Sequence, residues 1–261
     1  MLAAAGGGDR AKVNREIIQG LQCPSRVADA LTTYAAELEA VLGKRLAGAY
    51  IYGSLARRCF HPATSDVDIM VISEVPCSDA QVAQIRLAHQ RAAIPVDATF
   101  ATRSQAALNE TPTPIDFVVK AGDTVLRVPE GRGDFVIDRQ DVSESGLALV
   151  GPCPHAVIDP VPWQTLAEAM DWLFPAILPR FKNPVLMLCR ICYAFANRTL
   201  CSKVDAGEWA VSEFDPEWRV LVESALRDYA GGIASAGSRD ATLRSFEHYC
   251  ANYIAELRGR M

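Results

Sequence analysis

Residues Tyr50–Ser73, Y-I-Y-G-S-L-A-R-R-C-F-H-P-A-T-S-D-V-D-I-M-V-I-S, set a Gly-Ser turn ahead of an Asp-x-Asp pair in an apolar run. Gly53 can adopt backbone angles closed to other residues and lets the backbone approach an anion, while Ser54 offers a hydroxyl and an amide to a phosphate oxygen. The turn reads as a phosphate cradle. Downstream, the β-branched residues of Ser65-Asp66-Val67-Asp68-Ile69-Met70-Val71-Ile72 predict a strand, and its two-residue period brings Asp66 and Asp68 to one face. Carboxylates beside a triphosphate are tolerable only if Mg²⁺ sits between them, bridging protein and phosphate oxygens. Either half alone would pass as an ordinary strand-to-helix turn or a strand-start cap; the two together point to a triphosphate with its metal.

Outward from this stretch, apolar residues at Val27, Leu31, Tyr34, Ala35, Leu38, Val41 and Leu42 form a helical stripe over Ser25–Leu42 that Gly43 ends. Ser78 with Gln81 makes a capping box for a helix through about Arg91. Pro95-Val96-Asp97-Ala98-Thr99-Phe100 reads as a further strand carrying an acid. The order helix, strand, Gly-Ser turn, short helix, acidic strand, helix, acidic strand suits a small mixed sheet backed by helices. From Asn109 to Pro162 the chain is turn-rich, and runs at 115–119, 124–128 and 135–137 predict extra strands or a loop over the cleft. Gly151-Pro152-Cys153-Pro154 and Asp159-Pro160-Val161-Pro162 read as a linker, placing a boundary near Ile158. Beyond it, helices are predicted to start at Thr165 (with Glu168), Asn183-Pro184, Ser202 (with Asp205), Asp215-Pro216 and Arg239. The fold class is therefore α/β (α+β): a mixed-sheet domain over 1–158, then an α-helical bundle domain over 159–261.

The chain has 261 residues, half of them apolar, and a formal net charge of -5. Its pI of about 5.4 argues against a nucleic-acid polymerase, which needs a basic surface, and suits a small or cationic acceptor. No secretory signal or membrane span is visible, so a cytoplasmic, monomeric protein without nucleic-acid or membrane partners is expected. Cys189-Arg190-Ile191-Cys192 is the one C-x-x-C among eight cysteines. It falls inside an apolar helix with no second pair, which favours buried reduced thiols over a metal site.

In the helical half, Lys203 occupies the first turn of its helix, where the positive dipole end disfavours a cation unless an anion arrives. On the preceding helix Arg190 shares a face with Leu186, Tyr193 and Asn197, away from the Val185, Leu188, Cys189 and Cys192 stripe, and so points toward the first domain.

Gly53-Ser54 followed by Ser65-Asp66-Val67-Asp68 resembles the nucleotidyltransferase superfamily that includes DNA polymerase beta, which takes a third carboxylate from a later strand; Asp97 fits that place. The stretch 183–190, then Ser202-Lys203-Val204-Asp205-Ala206-Gly207-Glu208-Trp209-Ala210, then Tyr229 before Gly231, resembles aminoglycoside adenylyltransferases of the streptomycin and spectinomycin type. The resemblance covers most of residues 45–232. It implies transfer of AMP from ATP to an acceptor hydroxyl with release of pyrophosphate. Asp66, Asp68 and Asp97 would hold one or two Mg²⁺, Asp97 would serve as base, and Gly53, Ser54, Ser65, Arg190, Lys203 and Tyr229 would hold the nucleotide.

The chain departs from that family in three places. Asp97 is one methylene shorter than the usual glutamate, no tryptophan lies between Phe100 and Pro162, and Arg180-Phe181-Lys182-Asn183 offers cations where the family carries an acid before the helix of Arg190. Other acceptors (a lincosamide, a metabolite or a protein side chain) and a non-catalytic nucleotide-binding module are the alternatives.

Overall fold

The computed structural model describes residues 12–122, 124–128, 130–233 and 241–259. The sheet half contains α1 (Arg15–Gln19), α2 (Ser25–Leu42), β1 (Leu46–Tyr52), α3 (Gly53–Ala56), β2 (Val67–Ser73), α4 (Asp79–Ala92), β3 (Val96–Thr102), α5 (Arg103–Ala106), β4 (Phe117–Lys120), β5 (Thr124–Leu126), α6 (Phe135–Ser145) and β6 (Leu147–Val150). The helical half contains α7 (Trp163–Leu173), α8 (Ile177–Arg180), α9 (Pro184–Asn197), α10 (Lys203–Glu213), α11 (Pro216–Ala230) and α12 (Ala241–Gly259). No helix among the described residues is long and apolar enough to cross a membrane.

The six strands form one mixed sheet in the order β5-β4-β3-β2-β1-β6. Only β2 and β3 run parallel, as their connection through α4 requires. The strand period divides β2 between two cores. Val67, Ile69 and Val71 pack with Leu31 and Leu38 of α2 and Ile85 of α4, whereas Met70 and Ile72 pack with Phe135 and Val142 of α6. Asp66 and Asp68 continue the Met70–Ile72 face. Each fully buried Leu, Ile or Phe in these layers contributes about 1.5–3 kcal/mol, and Phe100 and Phe117 also stack at 4.3 Å between ring centres.

Local signals account for the helix starts. Ser78 and Gln81 close the capping box of α4, Ser202 and Asp205 that of α10, and Pro184 and Pro216 open α9 and α11 where a missing N–H costs nothing. A third core lies inside the bundle, from Val161 and Leu166 through Leu188 and Phe214 to Phe246 and Ile254, with Val136 of α6 reaching into it. Helix α6 thus touches the sheet on one side and the bundle on the other. Ile158 belongs to the sheet-side core and Val161 to the bundle core.

Several expectations need correction. The run at 135–137 opens the helix α6 rather than a strand, and β6 after it pairs with the edge of β1. Helix α6 buries the charged Arg139 and Asp141 on different sides, so its apolar period is broken and the sequence pattern conceals a helix. Helix α7 starts at Trp163 after Pro162, with no side-chain cap, and Thr165 lies buried within it. The short helix α8 was not anticipated. Arg239 lies outside the described residues, and α12 is described from Ala241. Cys189 and Cys192 are buried in α9.

Candidate active site

The C-terminal end of β1 and the N-terminal ends of β2 and β3 converge on a cavity of about 670 Å³ whose far wall is made by α9, α10 and the end of α11. That is the size of a small-molecule site between two layers. All nine residues singled out from the sequence line it: Gly53, Ser54, Ser65, Asp66, Asp68, Asp97, Arg190, Lys203 and Tyr229.

Register explains how the acids meet. Tyr52 pairs with Asp68 across β1 and β2, and Asp68 pairs with Asp97 across the parallel β2 and β3. Asp66 stands immediately before β2. Gly53 follows β1 with φ +66°, and a Cβ there would lie 2.4 Å from Asp68 Oδ2. Glycine is therefore required twice, for the backbone angle and for the carboxylate packed against it.

Asp66 and Asp68 are crowded by burial and by other acids. Burial, followed by the charges of Asp138 and Asp97, pushes Asp68 up to about 8. Burial and Asp97 also raise Asp66, against the opposing influence of Lys182, Lys120 and Lys203. Asp97 Oδ2 lies 2.6 Å from Lys120 Nζ, and its Oδ1 accepts from the Ala121 amide at 2.8 Å. Among the described residues no three acidic, histidine or cysteine side chains stand close enough to hold a metal ion as they are. The hard carboxylate oxygens of Asp66 and Asp68, whose pKa values are both raised by burial and by neighbouring acids, nonetheless fit Mg²⁺.

On the far wall, Lys203 opens α10 and its Nζ lies 5.6 Å from the centre of the Tyr229 ring. Burial, then the neighbouring Arg190, lowers its pKa; a cation so placed gains from an arriving anion. Tyr229 shares a hydrogen bond with Ser65, and the Ser65 hydroxyl accepts from the His61 amide at 3.0 Å. Arg190 donates from Nε to the Cys201 carbonyl at 2.9 Å.

Sequence reasoning missed a second charged group. Arg132 donates to Asp134 at 2.8 Å, Asp138 at 2.9 Å and Thr99 at 2.6 Å, and all four line the cavity. Burial raises Asp138 to about 6 although Arg132 opposes it, and Arg132, with Arg180 further off, outweighs burial to hold Asp134 below the ordinary carboxylate range. The Asp134 to Asp138 spacing on a helix was legible only if 135–145 had been recognised as helical. Lys120, Arg57, Phe181, Lys182 and Asn183 also line the cavity without having been assigned to it. Asp116 does not line it: its carboxylate accepts from the Cys77 amide at 2.7 Å and pairs with Arg127 at 2.8 Å.

Comparison with known proteins agrees with the resemblance read from the sequence. Residues 156–253 match the family described as aminoglycoside adenylyltransferase, C-terminal domain. An aminoglycoside (3'') (9) adenylyltransferase of Klebsiella pneumoniae is 30% identical over 136 residues, 49% of this chain and 51% of that protein. One of Escherichia coli is 30% identical over 137 residues, again 49% and 51%. The chain thus spans about half the length of the curated relatives it matches. Its fold matches the crystal structure of spectinomycin adenyltransferase AAD(9) from Enterococcus faecialis with ATP and spectinomycin, with a TM-score of 0.73 at 15% identity, over 87% of this chain and 98% of that one.

Proposed function

We propose that the protein is an aminoglycoside adenylyltransferase, transferring AMP from MgATP to a hydroxyl of the acceptor and releasing pyrophosphate. The observation that carries this reading is the convergence of the nine residues expected to hold nucleotide and metal, from both halves of the chain, on one cavity. The similarity of both sequence and fold to adenylyltransferases supports it.

In this reading Asp66 and Asp68 hold Mg²⁺, and Asp97 completes a second metal site or accepts the proton of the acceptor hydroxyl. When bound, the metal neutralises charge on the phosphates. The Gly53-Ser54 turn and Ser65 contact phosphate oxygens from the sheet side, while Arg190 and Lys203 meet them from the bundle. Tyr229 lies by the nucleotide. Catalysis then rests on in-line positioning of the acceptor and on cations placed where charge builds on the leaving pyrophosphate. We place the boundary between the two domains near Ile158 and read the enzyme as a cytoplasmic monomer without nucleic-acid or membrane partners.

A second reading, the same chemistry on a non-aminoglycoside acceptor, draws support from Phe181, Lys182 and Asn183 in the cavity wall. A pyrophosphate-release assay with MgATP across a panel of aminoglycosides, with a lincosamide alongside, tests both. Release with spectinomycin or streptomycin supports the first; release with the lincosamide alone selects the second.

A further inference from the structure

Arg57 follows the phosphate-cradle turn directly, its amide donating to the Gly53 carbonyl at 3.0 Å, and its side chain lines the cavity beside Ser54, Arg190 and Lys203. It is held there by α6. Asp141 Oδ1 accepts from Arg57 Nε at 2.8 Å and lies 2.7 Å from Nη2, and Glu144 Oε2 stands 3.4 Å from the same Nη2. The other oxygen of Asp141 is 3.8 Å from Nη2 of Arg190. Glu144 also accepts from the Leu200 amide at 3.1 Å, in the connection between α9 and α10. A carboxylate only 4% exposed therefore sits between two guanidinium groups from opposite walls of the cavity.

We infer that Asp141 is a positioning residue that aims Arg57 and Arg190 together at the phosphate end of the cavity, and that Arg57 is a further contact for the triphosphate. This rests on the nucleotide-binding reading above. Arg57, Arg190 and Lys203 bring three positive charges to that end, and Asp141 with Glu144 supplies two negative ones. Like charges so close repel unless an anion completes the set. Arg57 spends Nε and Nη2 on these carboxylates; its Nη1 makes no hydrogen bond to protein among the described residues. A buried carboxylate that fixes a rotamer in this way, as Asp141 does, supplies the preorganisation a phosphate site needs.

The test is calorimetric titration of MgATP, magnesium tripolyphosphate and adenosine into wild type, Arg57→Gln, Asp141→Asn and the double variant, with circular dichroism to verify folding. Arg57→Gln should weaken MgATP and tripolyphosphate binding by roughly tenfold or more and leave adenosine unchanged. Asp141→Asn should do the same, and should cost less when Arg57 is already Gln, because part of its effect passes through that residue. If Asp141→Asn does not fold, Arg57→Gln decides alone. Wild-type MgATP affinity in Arg57→Gln, or equal losses for adenosine and MgATP, would overturn the inference while the nucleotide site stood. A wild-type protein that bound neither MgATP nor tripolyphosphate would instead overturn the nucleotide reading, and this inference with it.

Discussion

Replacing Gly53 by alanine separates backbone strain from the chemistry of the site. The residue has φ +66°, a region L side chains rarely adopt, and holding alanine there costs about 1–3 kcal/mol. The added Cβ would also stand 2.4 Å from Asp68 Oδ2, where ordinary contact begins at 3.4 Å, so the carboxylate must retreat by 3.4 − 2.4, or about 1 Å. A displacement of that size at a metal-holding group costs ten- to a hundredfold in metal affinity and about a hundredfold in turnover. Gly43 supplies the control, since its φ is +52° but nothing lies within 4 Å of a Cβ built on it. Chemical denaturation should show both Gly43→Ala and Gly53→Ala destabilised, while calorimetry with MgATP should show a loss of affinity in Gly53→Ala alone. Unchanged MgATP affinity in Gly53→Ala, or an equal loss in Gly43→Ala, would refute the argument that the turn and Asp68 form one site.

Three further outcomes follow from the same geometry. Because the folded state holds Asp68 at about 8 against its ordinary 3.8, it binds the proton more tightly than the unfolded chain; stability without nucleotide should fall as pH rises from about 4 to about 8. Asp68→Asn should flatten that slope in pH-dependent thermal unfolding while losing MgATP binding, and an unaltered slope would remove Asp68 as its source. Lys203→Ala should weaken MgATP by about 1.5–3 kcal/mol and leave adenosine almost unaffected; an ordinary surface lysine would give less than about 1 kcal/mol with both ligands. Asp97→Asn should keep MgATP affinity, measured by calorimetry, yet lose turnover, and surviving turnover would reduce Asp97 to a bystander paired with Lys120.

The parts of the site legible in the sequence were those fixed by local rules. Gly53 is demanded by a turn, Asp66 and Asp68 are ordered by strand period, and Lys203 is placed by the Ser202–Asp205 capping box. These signals act within a few residues and survive translation into structure. What stayed hidden depends on pairing between distant segments. Lys120 reaches Asp97 only because β4 lies antiparallel to β3, and Asp141 meets Arg57 only because α6 packs between the sheet and the bundle. Helix α6 was also the element hardest to see, since a helix that buries Arg139 and Asp141 on its different sides does not show the apolar repeat from which amphipathic helices are read.

The central claim is AMP transfer itself, and product analysis tests it most directly. Wild type would be incubated with MgATP and each acceptor of the aminoglycoside panel, with released pyrophosphate quantified and the acceptor examined by mass spectrometry. The account predicts one AMP on the acceptor for each pyrophosphate released, and neither product with Asp66→Asn. Pyrophosphate released without AMP on the acceptor, or no modified aminoglycoside anywhere in the panel, would contradict it.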